Sequence, residues 1–134
     1  MSAPDSRFSA DITAFAVEQL EALGQSSVAI ELAVLTSEDG FEIAAYRGQA
    51  ISGRIAAMSS SLQALAEAIT REAGLNNTRN LIIEAENGVI LILGVQSNVA
   101  RVSLSVVAST RETLGQLLWA ARNCCKALEQ GLQG

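Results

Sequence analysis

The chain has 134 residues, enough for one domain with a sizeable hydrophobic core. Its formal net charge is −5 and its nine Lys and Arg residues are scattered singly, which argues against a surface for nucleic acid or an anionic membrane. The chain contains no histidine, so the commonest general base and the usual partner of a nucleophilic Ser or Cys are missing.

The first predicted element is an amphipathic helix over 9–23, SADITAFAVEQLEAL. Ser9 is a suitable N-cap, and Gly24 is a suitable stop at the C-terminal end. The preceding residues 1–8 are mostly polar and include Pro4. We expect them to form a flexible N-terminal arm and not a signal peptide.

Two strands are predicted next, joined by a tight turn. Apolar residues alternate with others over 28–35 and again over 41–46, which is the period of a β-strand. The turn SEDG between them ends in Gly40, which can adopt the positive φ that such turns require. These segments predict a β-hairpin.

The second helix is predicted over about 52–73, and Gly74 is expected to end it. Large apolar residues recur at spacings of four and three, and at about 100° per residue they form a stripe about 80° wide. The other side is mostly Ala and Ser, so residues 55–66 carry no charge. This large-residue stripe consists of Ile51, Ile55, Met58, Leu62, Leu65 and Ile69.

Three more strands follow the second helix. Residues 79–86 alternate in polarity, and Asn87-Gly88 after them is a strong signal for a hairpin. Residues 89–95, VILILGV, are apolar on both faces, so we expect this strand to lie inside the sheet with both faces covered. The segment is far too short to span a bilayer. Residues 100–108 alternate again and predict the last strand.

A third helix is the last predicted element. Ser109 and Glu112 form the S-x-x-E pattern of a capping box and are expected to open it. Cys125 belongs to the buried stripe of this helix, and Cys124 should pack where the helix meets the sheet or another helix. Trp119 lies off the stripe, and we expect it to pack against the first helix, with contact to a binding partner as the alternative.

The order α-β-β-α-β-β-β-α predicts a single α+β domain over 1–134, without repeats or linkers. The ten glycines occur singly and do not form a phosphate-binding loop. Two adjacent cysteines without histidine cannot complete a tetrahedral zinc site within one chain. We therefore expect no catalytic residues, no cofactor and no metal, and a reducing cytoplasm as the compartment.

The order and lengths of these elements resemble the Roadblock / dynein light-chain seven family, including its MglB-like bacterial members. The resemblance extends from about Val28 to Leu128 and depends on agreement throughout, not on one specific motif. Gly115 stands where the family often carries a glycine early in the last helix. The matching stretches are ELAVLTSEDGFEIAAY, RIAAMSSSLQALAEAITREAGL, NLIIEAENGVILILGV and VVASTRETLGQLLWAARNCCKAL.

The resemblance implies a five-stranded antiparallel sheet with helix 2 on one face and helices 1 and 3 on the other. It also implies a homodimer in which helix 2 packs antiparallel to its mate and strand 3 pairs edge to edge with its mate. Family members bind Ras-like small GTPases. The implied partners are a second copy and such a GTPase, with no nucleic acid and no membrane insertion.

Small residues let two helices approach closely, so we expect the large-residue stripe to face the chain's own sheet and the Ala and Ser side to meet the mate. The sequence leaves open the reverse arrangement, and also a half-exposed helix in a monomer. For strand 3, the alternative is that charges at its ends protect a monomer edge. The predicted interface residues are Ala57, Ser60, Ala64, Ala68, Arg79, Leu81, Ile83 and Ala85.

The implied function is a cytoplasmic, homodimeric regulator or scaffold of a Ras-like GTPase, with stimulation of GTP hydrolysis left open. The alternative is a structural adaptor in a motor or receptor complex that leaves nucleotide turnover unchanged. A small-ligand sensor is disfavoured, because the polar groups that would line a pocket are not evident in the sequence. Spacing does not single out Arg47, Arg54 or Arg79 as an arginine finger.

Overall fold

The structure, a computed structural model, describes residues 8–97 and 101–132. The elements occur in the predicted order. Residues 1–7 of the expected N-terminal arm lie outside the described residues, whereas Phe8 is buried in the core. The elements are α1 Ala10–Gln25, β1 Ile30–Ser37, β2 Glu42–Tyr46, α2 Ala50–Glu72, β3 Asn80–Ala85, β4 Gly88–Val95, β5 Val102–Ser109 and α3 Leu114–Gly131.

All five strands form one antiparallel sheet in the order β2-β1-β5-β4-β3. The strand β5 lies in the middle, paired with β1 on one side and with β4 on the other. The hairpins β1-β2 and β3-β4 therefore flank it, and their outer strands β2 and β3 form the two edges. This order leaves β3 at an edge of the sheet, the position that edge-to-edge pairing with a second copy requires.

The helices lie on the faces predicted from the resemblance. Helix α2 packs over β1, β2 and β5, while α1 and α3 pack side by side on the opposite face. Alternation along β5 separates the two faces: Ser105 Oγ donates to Ser59 Oγ of α2 at 2.9 Å, whereas Leu104 and Val106 point into the main core under α1 and α3. That core contains fully buried residues from both helices and from three strands, among them Leu20, Leu35, Leu91, Leu104 and Leu128.

The first helix begins as predicted but ends differently. The N-cap is Ser9, whose Oγ accepts a hydrogen bond from the Ile12 backbone N–H at 3.2 Å. The prediction that Gly24 stops the helix is wrong, because α1 continues to Gln25. A Cβ at Gly24 would lie 2.2 Å from the Tyr46 ring, so this glycine allows α1 to pack closely on β2.

The predicted capping box of the last helix is also wrong. Ser109 belongs to β5, where it pairs with Gly88 across the ladder. The helix begins later, and its N-cap is Thr113, whose Oγ1 accepts from the Gln116 backbone N–H at 3.2 Å. Strand pairing therefore extended β5 through the residue that the local pattern assigned to the helix.

The two hairpins and the end of α2 are confirmed. Gly40 in the first turn and Gly74 after α2 both have positive φ, at 87° and 77°. In the β3-β4 hairpin, Ala85 pairs with Gly88, so that Glu86 and Asn87 form the turn. A Cβ at Gly88 would lie 2.5 Å from the carbonyl oxygen of Ala108, so Gly88 is required by the close approach of β5.

Candidate interaction surface

Helix α2 packs on the sheet through its smallest side chains. Ser52, Ala56 and Ser59 are its buried residues. Small side chains bring the helix axis close to the strands, and the hydrogen bond between Ser59 and Ser105 satisfies two hydroxyls that this contact removes from water. Ser52 Oγ is likewise satisfied, since it donates to the Gln49 carbonyl at 2.8 Å and also contacts the Glu42 carboxylate.

The large-residue stripe does not face the sheet, and that prediction is wrong. Met58, Leu65 and Ile69 are 63%, 59% and 61% exposed. The face formed by Ser52, Ala56 and Ser59 lies next to the sheet instead. The large-residue stripe lies about 110° further around the helix. A sequence signal for this orientation existed, because Ser52, Ala56 and Ser59 recur with the same helical period as the stripe.

A third side of α2 is exposed and lacks large side chains. It consists of Ala57, Ser61, Ala64 and Ala68, which we call the small-residue surface. Ser60 lies beside it, half-buried, where its Oγ donates to the Glu38 carbonyl at 2.7 Å. The structure contains one copy of the chain. The assignment of Ala57, Ser60, Ala64 and Ala68 to a contact with a second copy therefore stays a prediction.

Part of the sheet on the α2 side is left uncovered. Ile83 of β3 pairs with Ile90 of β4, and Ile90 pairs with Val107 of β5, so these three apolar side chains form a row across the sheet. Ile83 is 41% exposed, and Ile90 and Val107 are half-buried. The expectation that both faces of β4 are covered is therefore wrong for its first half. We call Leu81, Ile83, Ala85 and Ile90 the open sheet half.

The other face of β3 carries charge. Asn80, Ile82 and Glu84 alternate with the residues of the open sheet half and so face the α3 side. With the Asn80 amide in the orientation that satisfies both of its groups, its oxygen accepts from Arg122 Nη2 of α3 at 2.9 Å. The strand β3 thus has a cation beside its first residue and a carboxylate, Glu84, near its end.

Trp119 is 67% exposed, so the predicted packing against α1 is wrong. The α1 side of α3 is occupied by other residues: Cys124 Sγ lies 3.8 Å from the Gln19 carbonyl oxygen, and Gly131 allows the Phe15 ring to approach. Trp119 lies on another side of α3 from Cys124 and Gly131, next to Gly115 and Gln116. Its contact with a binding partner stays a prediction.

The two cysteines are structural, as the stripe of α3 predicted. Both are buried, and burial raises the pKa of each thiol to about 12. The thiols are therefore protonated, and poor nucleophiles, at neutral pH. Among the described residues, no group of three or more His, Cys, Asp or Glu side chains could hold a metal ion, and no helix is long and apolar enough to cross a membrane.

The fold has several solved counterparts. The MglB of Myxococcus xanthus superposes with a TM-score of 0.80 at 18% identity, covering 92% of this chain and 90% of that one. The gliding protein MglB of Thermus thermophilus gives a TM-score of 0.82 at 17% identity, covering 97% of each chain. A third structure, described as MglB with a tetrameric arrangement, gives 0.82 at 18% identity, covering 97% and 96%.

At these identities the structural matches show the fold alone. No curated protein sequence matches the chain. The sequence itself matches the family model of the Roadblock/LC7 domain over residues 16–104. That range spans most of α1, the whole of α2 and the strands up to the middle of β5. The chain therefore belongs to the Roadblock/LC7 domain family.

Proposed function

We propose that this protein is a homodimeric regulator or scaffold of a Ras-like small GTPase. The observation that carries the proposal is the exposed apolar surface formed by the large-residue stripe and the open sheet half. Monomeric proteins rarely leave large apolar patches exposed, and such patches mark protein interfaces. The likeness to MglB structures supports the proposal at the level of the fold.

A second copy is the natural occupant of this surface. The open sheet half ends at β3, an edge strand with unpaired backbone groups. Pairing β3 antiparallel with the same strand of a second copy satisfies those groups and places the two α2 helices on the same face of one continuous sheet. Such a two-fold contact is isologous, so each stripe meets the same residues of the other copy.

The charges around β3 support antiparallel self-pairing. Arg122 lies beside Asn80, at the start of the strand, and Glu84 lies near its end on the same face. Antiparallel pairing brings the start of one strand next to the end of the other. The cation of each copy then approaches the carboxylate of its mate, whereas parallel pairing would align like charges.

In this dimer the small-residue surface stays on the outside of the helix pair. It is uncharged, and it consists of Ala57, Ser61, Ala64 and Ala68. Desolvating such a surface costs little, and small side chains let a partner's backbone approach closely. We propose that the GTPase docks here, and that the large-residue stripe and β3 hold the two copies together.

Two substitutions one residue apart in α2 test this division. Leu65→Glu places a carboxylate in the stripe and should weaken dimerisation by at least about a hundredfold, because burying an unpaired charge costs several kcal/mol. Light scattering should then show a monomer. Ala64→Glu should leave the dimer intact and abolish binding of the GTPase.

The opposite result would return Ala64 to the dimer interface. If Ala64→Glu gives monomers while Leu65→Glu remains dimeric, the division proposed here is wrong and the dimer contact lies on the Ala64 side of α2, as the sequence predicted. Circular dichroism of both variants checks that α2 is still folded. A variant with Ala14→Glu, an exposed position on α1, serves as the control for added charge.

Measuring the rate of GTP hydrolysis by the partner distinguishes an activator from a scaffold. A Ras-like GTPase encoded beside this gene is the first candidate partner. Phosphate release from that GTPase, measured with and without the dimer, should accelerate if the protein is an activator. Tight binding with an unchanged rate would instead support the adaptor alternative.

A further inference from the structure

Three strands and the residue that precedes a fourth form a row at one end of the sheet on the α2 side. Thr36 of β1 pairs with Ser103 of β5, and Ser103 pairs with Gly94 of β4. Arg79, just before β3, completes the row, since its carbonyl accepts from the Gly94 N–H at 3.5 Å. Ser103 is on the same face as Ser105, which bonds to α2, so the whole row lies on that face.

This row forms a polar depression in which Gly94 and Arg79 are exposed and Thr36 and Ser103 are buried. Gly94 is exposed, and a Cβ placed on it would meet no atom within 4 Å. Thr36 is fully buried, yet its Oγ1 has no hydrogen-bond partner among the described residues. A buried hydroxyl without a partner is costly, and a ligand oxygen would relieve that cost.

Basic side chains are concentrated around the depression. It opens into a cleft of about 1500 Å³ that continues around the end of the sheet towards α3, and on the α2 side the charged residues lining it are Arg71, Arg79, Arg101, Glu38 and Glu67. Glu67 is neutralised by Arg101, whose Nη2 contacts its Oε1. No ion-pair partner is recorded for Arg71 or Arg79 among the described residues, so an acidic protein has a local excess of positive charge here.

We propose that this depression binds a phosphoryl group, as inorganic phosphate or as part of a small phosphorylated molecule. Arg79, Arg71 and Arg101 supply guanidinium donors, which match the oxygens of a phosphate in pairs. Thr36 supplies an unpartnered hydroxyl donor beneath the surface, which a ligand oxygen would reach after a small shift of the side chains over it. The row is formed within one chain, although Arg79 is also a predicted dimer-interface residue and Ala64 of the small-residue surface also lines the cleft. No local sequence pattern indicates this site, because its four residues meet only through the sheet order.

The test is a titration of the ¹⁵N-labelled full-length protein with inorganic phosphate and, separately, pyrophosphate at constant ionic strength. The amide signals of Gly94 and Ser103 should shift and saturate, with a dissociation constant of roughly 1 mM or tighter. Arg79→Gln should weaken binding at least tenfold, and Thr36→Val should weaken it severalfold. Arg54→Gln, at an exposed arginine outside the cleft, should leave binding unchanged.

Two results would overturn the proposal. One is a shift at Gly94 that grows linearly with anion concentration and never saturates. The other is equal weakening by Arg79→Gln and Arg54→Gln, which would indicate general charge attraction. Arg79→Lys checks the role of guanidinium geometry, since it retains the charge and should restore binding only in part. Light scattering on the same samples shows whether the dimer is intact, so failure of this site and failure of the dimer are distinguished.

Discussion

Two glycines in β4 show how differently the same residue can be used within one strand. Gly88 lies against β5, where a Cβ would come within 2.5 Å of the Ala108 carbonyl oxygen. Gly94 lies in the open, and a Cβ there would meet nothing within 4 Å. The hairpin signal at Asn87-Gly88 predicted the hairpin but placed its turn one residue late, because Gly88 pairs with Ala85 as the first residue of β4. The close approach to β5 depends on a strand that comes later in the chain.

Alanine at these two positions should have opposite effects on stability. Gly88→Ala should lower the free energy of unfolding by about 1–3 kcal/mol, because the backbone of β5 must move. Gly94→Ala should raise it by about 0.5 kcal/mol, because alanine has less backbone freedom to lose on folding. Urea denaturation of the two variants measures both values. An equal loss at both positions would contradict the contact assigned to Gly88.

Helix α2 explains which parts of the fold a sequence can predict. Its span and its end at Gly74 follow from local chemistry and were predicted closely. The orientation of α2 on the sheet was not predicted, because two of its faces consist of residues that recur with the same helical period. Which face meets the sheet depends on the residues beneath it, and Ser105 of β5 leaves room for Ser59 but not for a large side chain.

The packing of α2 gives a prediction for one small residue. Ala56 is fully buried against the sheet, so Ala56→Leu should overpack this contact and lower the free energy of unfolding by about 1–3 kcal/mol. The matched control is Ala14→Leu, an exposed helical alanine on α1, which should change stability by less than about 0.5 kcal/mol. Chemical denaturation measures both. A neutral Ala56→Leu would mean that α2 lies further from the sheet than described.

At the scale of the whole molecule, one copy of the chain leaves part of its apolar surface uncovered. The order of elements and the placement of helices on the two faces were predicted, because they follow from periodicity and from the family resemblance. The partition into covered and open surface was not, because it depends on the sheet order β2-β1-β5-β4-β3. That order puts α2 over β1, β2 and β5 and leaves the α2 side of β3 open.

If a second copy covers the open sheet half, unfolding is coupled to dissociation. The thermal midpoint of the wild-type protein should then rise with protein concentration, by mass action. The Leu65→Glu variant, which we expect to be monomeric, should have a lower midpoint that does not change with concentration. Differential scanning calorimetry at several concentrations, with rescans to confirm reversibility, measures both.

A wild-type midpoint that stays constant across this range would contradict the coupling. It would mean that one copy is stable with its stripe in water, and that the apolar surface is kept for a partner other than itself. A midpoint that rises equally in Leu65→Glu would also contradict the assignment, because the stabilising contact between copies would then lie away from the large-residue stripe. That second outcome would require the dimer interface to be sought elsewhere, with the exposed Trp119 on α3 as the next position to substitute.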